Sequence, residues 1–231
     1  MDTANTTDGA HTADSIRSLL AAGDVEVTDA QRDQLAAFVS LLRDWNSRIN
    51  LISRKDEEQV WRNHILHSLA VMLATTLPRE GAMLDLGTGG GMPGIPLAIM
   101  LPDVRFTLVD SIAKKIRAVE DMIAQLALQN VAVHCGRVED DDLLRKCQGK
   151  MDVVLARAVT QLPALVRWSY PLLRKQGPRK LVVWKGGALR EEIAEARRHG
   201  QVQSIRELPI VVPGEAYFER EEKKIIEVQF S

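Results

Sequence analysis

Between Asp29 and Ile49, apolar residues return at three- and four-residue steps: Leu35, Phe38, Val39, Leu42, Trp45 and Ile49. That spacing gathers them into one stripe on a 3.6-residue period, and Thr28 stands where an N-cap belongs, so the segment is predicted to be an amphipathic helix. The turn Asn50 to Lys55 leads to a second predicted helix, Asp56 to Ala74. Its apolar side carries Val60, Trp61, Ile65, Leu66, Leu69 and Leu73. A shorter helix is expected over Ala13 to Ala22. As far as the boundary at Pro78 to Gly81, the chain reads as all-helical.

Beyond that boundary the period changes. Short apolar runs at Ala82–Leu86, Val104–Val109, Val131–His134, Met151–Leu155 and Leu181–Trp184 are predicted strands. They alternate with helical patterns at Ile95–Met100, Ile112–Leu128, Leu162–Leu172 and Leu189–Arg198. Strands alternating with helices make βαβ units and a parallel sheet covered on both faces. Right-handed crossovers then bring the C-terminal ends of the strands to one edge. Ser204–Val212 and Lys224–Phe230 read as two further strands, with Val211–Gly214 turning between them. The expected fold class is therefore α/β: a Rossmann-like, mostly parallel, doubly wound sheet with a C-terminal antiparallel hairpin and an N-terminal helical extension. Residues 1–12 are expected to form a disordered tail, 13–77 the helical extension and 78–231 the cofactor-binding domain. No internal repeat is visible.

Composition narrows the class without choosing within it. The 231 residues are 45% hydrophobic and 26% charged, an ordinary soluble globular balance. Nothing approaches the roughly 20 consecutive apolar residues of a transmembrane helix. The first residues are acidic and polar, unlike a secretory signal. Cys135 and Cys147 have neither metal-ligand spacing nor disulfide density, which suits a reducing cytoplasm and no bound metal. A net charge of −1 argues mildly against a dedicated nucleic-acid binder, since phosphate neutralisation supplies most non-specific affinity. Local basic clusters remain, among them Arg54-Lys55 and Lys114-Lys115-Arg117.

The chemistry concentrates at Met83 to Gly94, MLDLGTGGGMPG. A strand that ends in Asp85-Leu86-Gly87-Thr88-Gly89-Gly90-Gly91 must turn sharply and start a helix at once. Glycines there permit positive φ and let backbone approach a ligand. Pro93 and Pro96 suit the first turn of the helix that follows. Gly89-x-Gly91-x-x-Gly94 matches the dinucleotide fingerprint, and Asp110 lies 21 residues after Gly89, near the spacing of a ribose-binding acid. An NAD(P) oxidoreductase therefore stays open at this point. Asp85, two residues before Gly87, favours S-adenosylmethionine, whose amino-acid moiety carries an ammonium group where a dinucleotide carries pyrophosphate. Asp110 would accept ribose hydroxyls from either ligand. Val138 and Glu139, after the third strand, are expected to flank an adenine, with capping of the next helix as the alternative. Arg157, at the end of the fourth strand, either points into the crevice or pairs with Asp110 or Glu139. His64 and His67 read singly as surface or helix-packing histidines.

Across Leu41 to Lys185 the chain resembles the ribosomal RNA small subunit methyltransferase G family, also called glucose-inhibited division protein B. The marks are Trp45-Asn46 with Ile49-Asn50-Leu51, then Arg62-x-His64-x-Leu66-x-Ser68-Leu69. Asp85-x-Gly87-x-Gly89-x-Gly91-x-Pro93-Gly94-x-Pro96-Leu97 follows, then Asp110-Ser111, Lys114-Lys115, Arg137-Val138-Glu139, Ala156-Arg157-Ala158 and Lys185-Gly186. The resemblance implies methyl transfer from S-adenosylmethionine to N7 of a guanine in 16S ribosomal RNA of the small subunit, near the decoding centre. It implies cofactor contacts at Gly87, Met92, Val138, Glu139 and Arg157, beside Gly89 and the ribose acid Asp110. It also marks Asn50, His64 and Lys185 as RNA-side residues. No general base is expected, and the protein is expected to be a cytoplasmic monomer. A methyltransferase of a small molecule or protein, and a non-catalytic RNA scaffold, are the competing readings.

Overall fold

Period-two alternation along the strands sorts their side chains between two cores, one on each side of a seven-stranded sheet. The computed structural model describes residues 11–231. The strands are β1 (Gly81–Leu86), β2 (Val104–Asp110), β3 (Val131–Cys135), β4 (Val153–Arg157), β5 (Lys180–Gly186), β6 (Val202–Pro209) and β7 (Lys223–Phe230). Their order is β3-β2-β1-β4-β5-β7-β6. The first five are mutually parallel, and β7 pairs antiparallel with both β5 and β6. The order reverses between β1 and β4, so the crevice beyond those two strand ends is where a ligand belongs in an open α/β sheet.

On one face Met83, Leu108, Leu155 and Val182 join a core with α2 (Asp29–Arg48), α5 (Gly94–Met100) and α6 (Ala113–Gln125). On the other, Leu84, Leu86, Val109, Val154 and Ala156 pack with α7 (Asp141–Cys147), α8 (Leu162–Ser169) and α9 (Arg190–Ala196). The helical extension lies in the first of these cores. The predicted stripe holds, with Leu35, Phe38, Val39 and Leu42 buried. Thr28 caps α2 in a reciprocal box with Gln31. Trp45 Nε1 ties the same helix to α6 by donating to Asp121 Oδ2 at 2.7 Å. Of the expected tail, residues 1–10 lie outside the described residues. His11 Nε2 stands 2.7 Å from Glu215 Oε2, and Thr12 caps α1 (Ala13–Ala21).

Four local expectations are corrected. The helix expected over Asp56–Ala74 is broken into a 3-10 turn (Arg54–Asp56), a π-helix (Trp61–Leu66), α3 (His67–Leu69) and α4 (Val71–Ala74). The His67 N–H reaches back five residues to the Arg62 carbonyl, and the Ser68 hydroxyl takes the His64 carbonyl at 2.6 Å. Such a widened turn inserts a residue without moving the buried Val60, Ile65, Leu66 and Leu69 to another face, so the apolar pattern does not register it. The helix expected to Leu172 ends at Ser169 and closes as a 3-10 turn, because Pro171 has no N–H to continue the ladder. Met151 bridges to Leu173 and does not start β4. Val211–Gly214 does turn, with the Glu215 N–H donating to the Val212 carbonyl at 2.9 Å, but it does not join the strands alone: residues 210–222 connect β6 to β7 and include α10 (Tyr217–Arg220).

Because the extension and the sheet share one core, Phe38→Ala should cost about 3–5 kcal/mol, as for a fully buried aromatic. Urea unfolding followed by tryptophan fluorescence and by circular dichroism should remain one coincident transition. Two separated transitions would show the extension to be an independent unit.

Candidate active site

Asp85 points to the same side of β1 as Met83 and is fully buried. Its Oδ2 accepts from the Thr88 hydroxyl at 2.6 Å and from the Gly94 N–H at 2.9 Å. The carboxylate thereby ties the start of the glycine loop to the start of α5. Gly94 must be glycine for this: a Cβ would fall 2.1 Å from Leu108 Cδ2 and 2.8 Å from Asp85 Oδ2. The other oxygen, Oδ1, is buried without a hydrogen-bond partner. Burial is the main influence on this group and pushes its pKa up to about 6, against the Thr88 and Gly94 hydrogen bonds and the nearby Arg157 charge.

Asp110, at the end of β2, reaches back across the loop. Its Oδ2 accepts from the Gly89 N–H and its Oδ1 from the Ile112 N–H, both at 2.9 Å. A carboxylate oxygen has two acceptor sites, so each keeps one for a further donor. The acid lines a crevice of about 370 Å³ together with Gly87, Ile112, Val138, Glu139 and Val159. Gly87, at φ 72°, could carry no side chain, since Val159 Cγ2 lies 2.6 Å from the position of a Cβ. Ile112, Val138 and Val159 beside a carboxylate holding two free acceptor sites suit a nucleoside: the base against the apolar side chains, the hydroxyls on the acid.

Gly87, Asp110, Val138 and Glu139 are thus brought together, and Gly89 adjoins them through its bond to Asp110. Met92 does not line the crevice. It is buried beneath the loop, its N–H donating to the Thr88 carbonyl at 2.9 Å. Arg157 pairs with neither Asp110 nor Glu139. Alternation along β4 turns it, like Leu155, toward the helical extension, where its guanidinium donates to His64 Nδ1 at 3.2 Å. Burial draws its pKa down to about 10, opposed by Asp85 and Asp56.

His64 lies in the π-helix. Since Nδ1 accepts from Arg157, the ring proton sits on Nε2, 3.6 Å from Asp56 Oδ2. Burial, then the Arg157 charge, takes its pKa down to about 4, so the ring is neutral at physiological pH. His67 is a packing histidine, its ring centroid 5.4 Å from that of Phe218. Asn50 is exposed in a separate depression with Ile52 and Arg54. Lys185 turns to the opposite face of the sheet and is engaged by Glu192 and the Thr160 carbonyl. Thr88, Val159 and Glu192 escape sequence reasoning. A hydroxyl between glycines is the one local signal for Thr88, whereas the other two meet the site only through packing. Cys135 is exposed and Cys147 buried. Among the described residues, no group of three His, Cys, Asp or Glu side chains could hold a metal ion.

The sheet order and the acid-anchored glycine loop define a Rossmann-like class I methyltransferase fold. Solved structures agree at the level of fold. A fibrillarin/Nop5p complex aligns with TM-score 0.56 and 13% identity, covering 74% of this chain and 82% of that one. Aeropyrum pernix fibrillarin with bound S-adenosyl-L-methionine aligns with TM-score 0.51 and 14% identity, covering 71% and 73%. Sequence relatives are more specific. Ribosomal RNA small subunit methyltransferase G of Chlorobium luteolum is 44% identical over 185 residues, 80% of this chain and 75% of the relative. The same-named protein of Bacteroides fragilis is 38% identical over 186 residues, 79% of this chain and 87% of the relative. The family model for rRNA small subunit methyltransferase G matches residues 31–222, and the chain belongs to that family. It is an S-adenosylmethionine-dependent methyltransferase, and the dinucleotide alternative left open by the glycine spacing falls away.

The raised pKa of Asp85 has a measurable consequence for stability. Below about pH 4 the carboxyl is neutral in both folded and unfolded chains; above about pH 6 the folded protein carries a buried charge that the unfolded chain solvates. Its contribution to stability is therefore lost as pH rises from about 4 through about 6. The stability of wild type relative to Asp85→Asn should shift in favour of the variant across that window, read by urea denaturation at several pH values. A difference independent of pH would contradict the buried, raised carboxyl. Asp110→Asn should weaken S-adenosylmethionine binding about tenfold or more, measured by calorimetry, by removing the charged acceptor.

Proposed function

We propose that this protein transfers the methyl group of S-adenosylmethionine to N7 of a guanine in 16S ribosomal RNA of the small subunit, near the decoding centre. Family membership across the whole site supports the substrate. The observation that carries the choice of atom is the state of His64: its Nδ1 accepts from Arg157 and burial keeps the ring neutral, so it is not poised to take a proton. Asp110 accepts two backbone N–H groups. A target with an in-plane lone pair and no proton to lose matches such a site. Guanine N7 is one: the positive charge moves from sulfur to the purine and no general base takes part. Catalysis then rests on aligning nucleophile, methyl and sulfur, an effect worth roughly 7–11 kcal/mol.

In this reading the ribose of the methyl donor lies on Asp110, its adenine rests against Val138, and Glu139 meets the exocyclic amine. Gly87 and Gly89 give it backbone access. Met92 supports the loop from beneath, and Arg157 faces the carboxylate of the amino-acid end. Asn50 lies on the RNA side, with His64 acting through Arg157. Residues 13–77 supply the RNA-facing part of the molecule. We infer a monomer, because the exposed large apolar side chains among the described residues, Ile112, Val159 and Val211, form no interface-sized patch, and two of them border the crevice. The cytoplasm, where ribosomal subunits mature, is the matching location.

The test supplies labelled S-adenosylmethionine with small subunits and naked 16S RNA lacking N7 methylation, then maps product by cleavage at N7-methylguanine. One labelled guanine near the decoding centre is expected, with kcat flat from about pH 6 to 9. Transfer to another atom, or a pH profile governed by one protein group, would overturn the choice of N7.

A further inference from the structure

The wall of the crevice formed by Val159 is held by groups from outside its own segment. Residues 158–161 link β4 to α8, and Ala158 sits at φ 55°, a left-handed conformation that L residues rarely adopt. Val159 is 36% exposed and closes on Gly87. What holds the segment is a single ion pair from two other elements. Lys185 Nζ, at the end of β5, donates to the Thr160 carbonyl at 3.0 Å and to Glu192 Oε2 at 2.8 Å. The same Glu192 oxygen, in the first turn of α9, accepts the Leu162 N–H at 2.8 Å. One charged pair thus fixes a carbonyl and an amide on either side of Gln161. Both side chains are largely withdrawn from water, at 17% and 24% exposure. Two hydrogen bonds from Lys185 and two into Glu192 leave the pair little freedom to swing outward.

We infer that Lys185 and Glu192 are positioning residues that set the 158–161 wall, and through it the affinity for the methyl donor; Lys185 serves the crevice from behind and makes no contact with RNA. This rests on the proposed reading of the crevice as the donor site. Glu192 becomes as important as Lys185, although it carries none of the family marks read from the sequence.

The test compares the full chain with Lys185→Met, Lys185→Arg, Glu192→Gln, Glu192→Leu and the Lys185→Met/Glu192→Leu double variant. S-adenosylmethionine binding is measured by calorimetry, KM for RNA and kcat by methyl transfer, and folding by melting temperature. Lys185→Met and Glu192→Leu should each weaken donor binding about tenfold, as expected for loss of a charge-assisted bond. The double variant should be no weaker than the worse single one, because the two groups act as a unit. Lys185→Arg should recover part of the affinity, and KM for RNA should stay within about twofold throughout. Glu192→Gln keeps an acceptor for Leu162 while removing the charge. It provides the folded variant should the leucine change lower the melting temperature, and its donor affinity should fall about threefold or more. The inference is overturned if Lys185→Met raises the RNA KM with unchanged donor binding, or if folded Glu192 variants bind the donor like wild type. Failure of wild type itself to bind S-adenosylmethionine would instead overturn the reading of the crevice.

Discussion

A carboxylate with no access to water, Asp85, organises the loop from which the rest of the site is built. Burying a charge is costly unless hydrogen bonds replace hydration. Thr88 and Gly94 supply two such bonds to one oxygen, while the other has no protein partner. The cost is met only in the conformation that brings the first turn of α5 down onto β1, so the acid selects that conformation over the many that a run of glycines could adopt. Gly94 is bound into the same constraint by the absence of a Cβ, and Asp110 completes it by holding Gly89 from the neighbouring strand. The loop is thereby fixed from beneath, with Gly87 and Asp110 left lining the crevice.

The second organising feature is a polar seam between the sheet and the helical extension. Asp85 and Arg157 stand on the same face of adjacent strands; the π-helix brings His64 to Arg157, and the 3-10 turn before it places Asp56 beside His64. Because the guanidinium needs an acceptor, His64 must present an unprotonated Nδ1, and burial keeps the ring neutral. The Arg157 guanidinium, beside Asp85, is thereby oriented by a residue from the helical extension. The extension is part of the site's architecture, sharing its hydrophobic core and its hydrogen bonds. On the opposite face, the Lys185–Glu192 pair does comparable work for the wall formed by residues 158–161.

Most of the sheet was legible because burial imposes a period on sequence. The apolar runs from Ala82 to Trp184 mark the first five strands, and strand–helix alternation constrains their direction. The place of Asp110 at the end of β2 was legible as well, since the length of one βα unit sets its distance from Gly89. The π-helix was not: its apolar residues keep to one side, and the extra residue is absorbed in backbone hydrogen bonds that side-chain pattern does not report. Nor was the destination of Arg157. Spacing offered Asp110 or Glu139, but the alternation of β4 directs the side chain toward the helical extension, where the partner is 93 residues away in sequence.

The glycine loop, its acid and the alternating βα pattern are local statements, and for these the order of residues was sufficient. Steric freedom, burial periodicity and strand length act between near neighbours along the chain. Membership of an RNA-methylating family was already marked by the Pro93-Gly94-x-Pro96 extension. Packing alone decided which polar groups meet: Asp110 on the loop, His64 under Arg157, and Glu192 across from Lys185. Those pairings join residues from different elements, and their worth depends on how much water the assembled fold excludes, a property no single segment possesses.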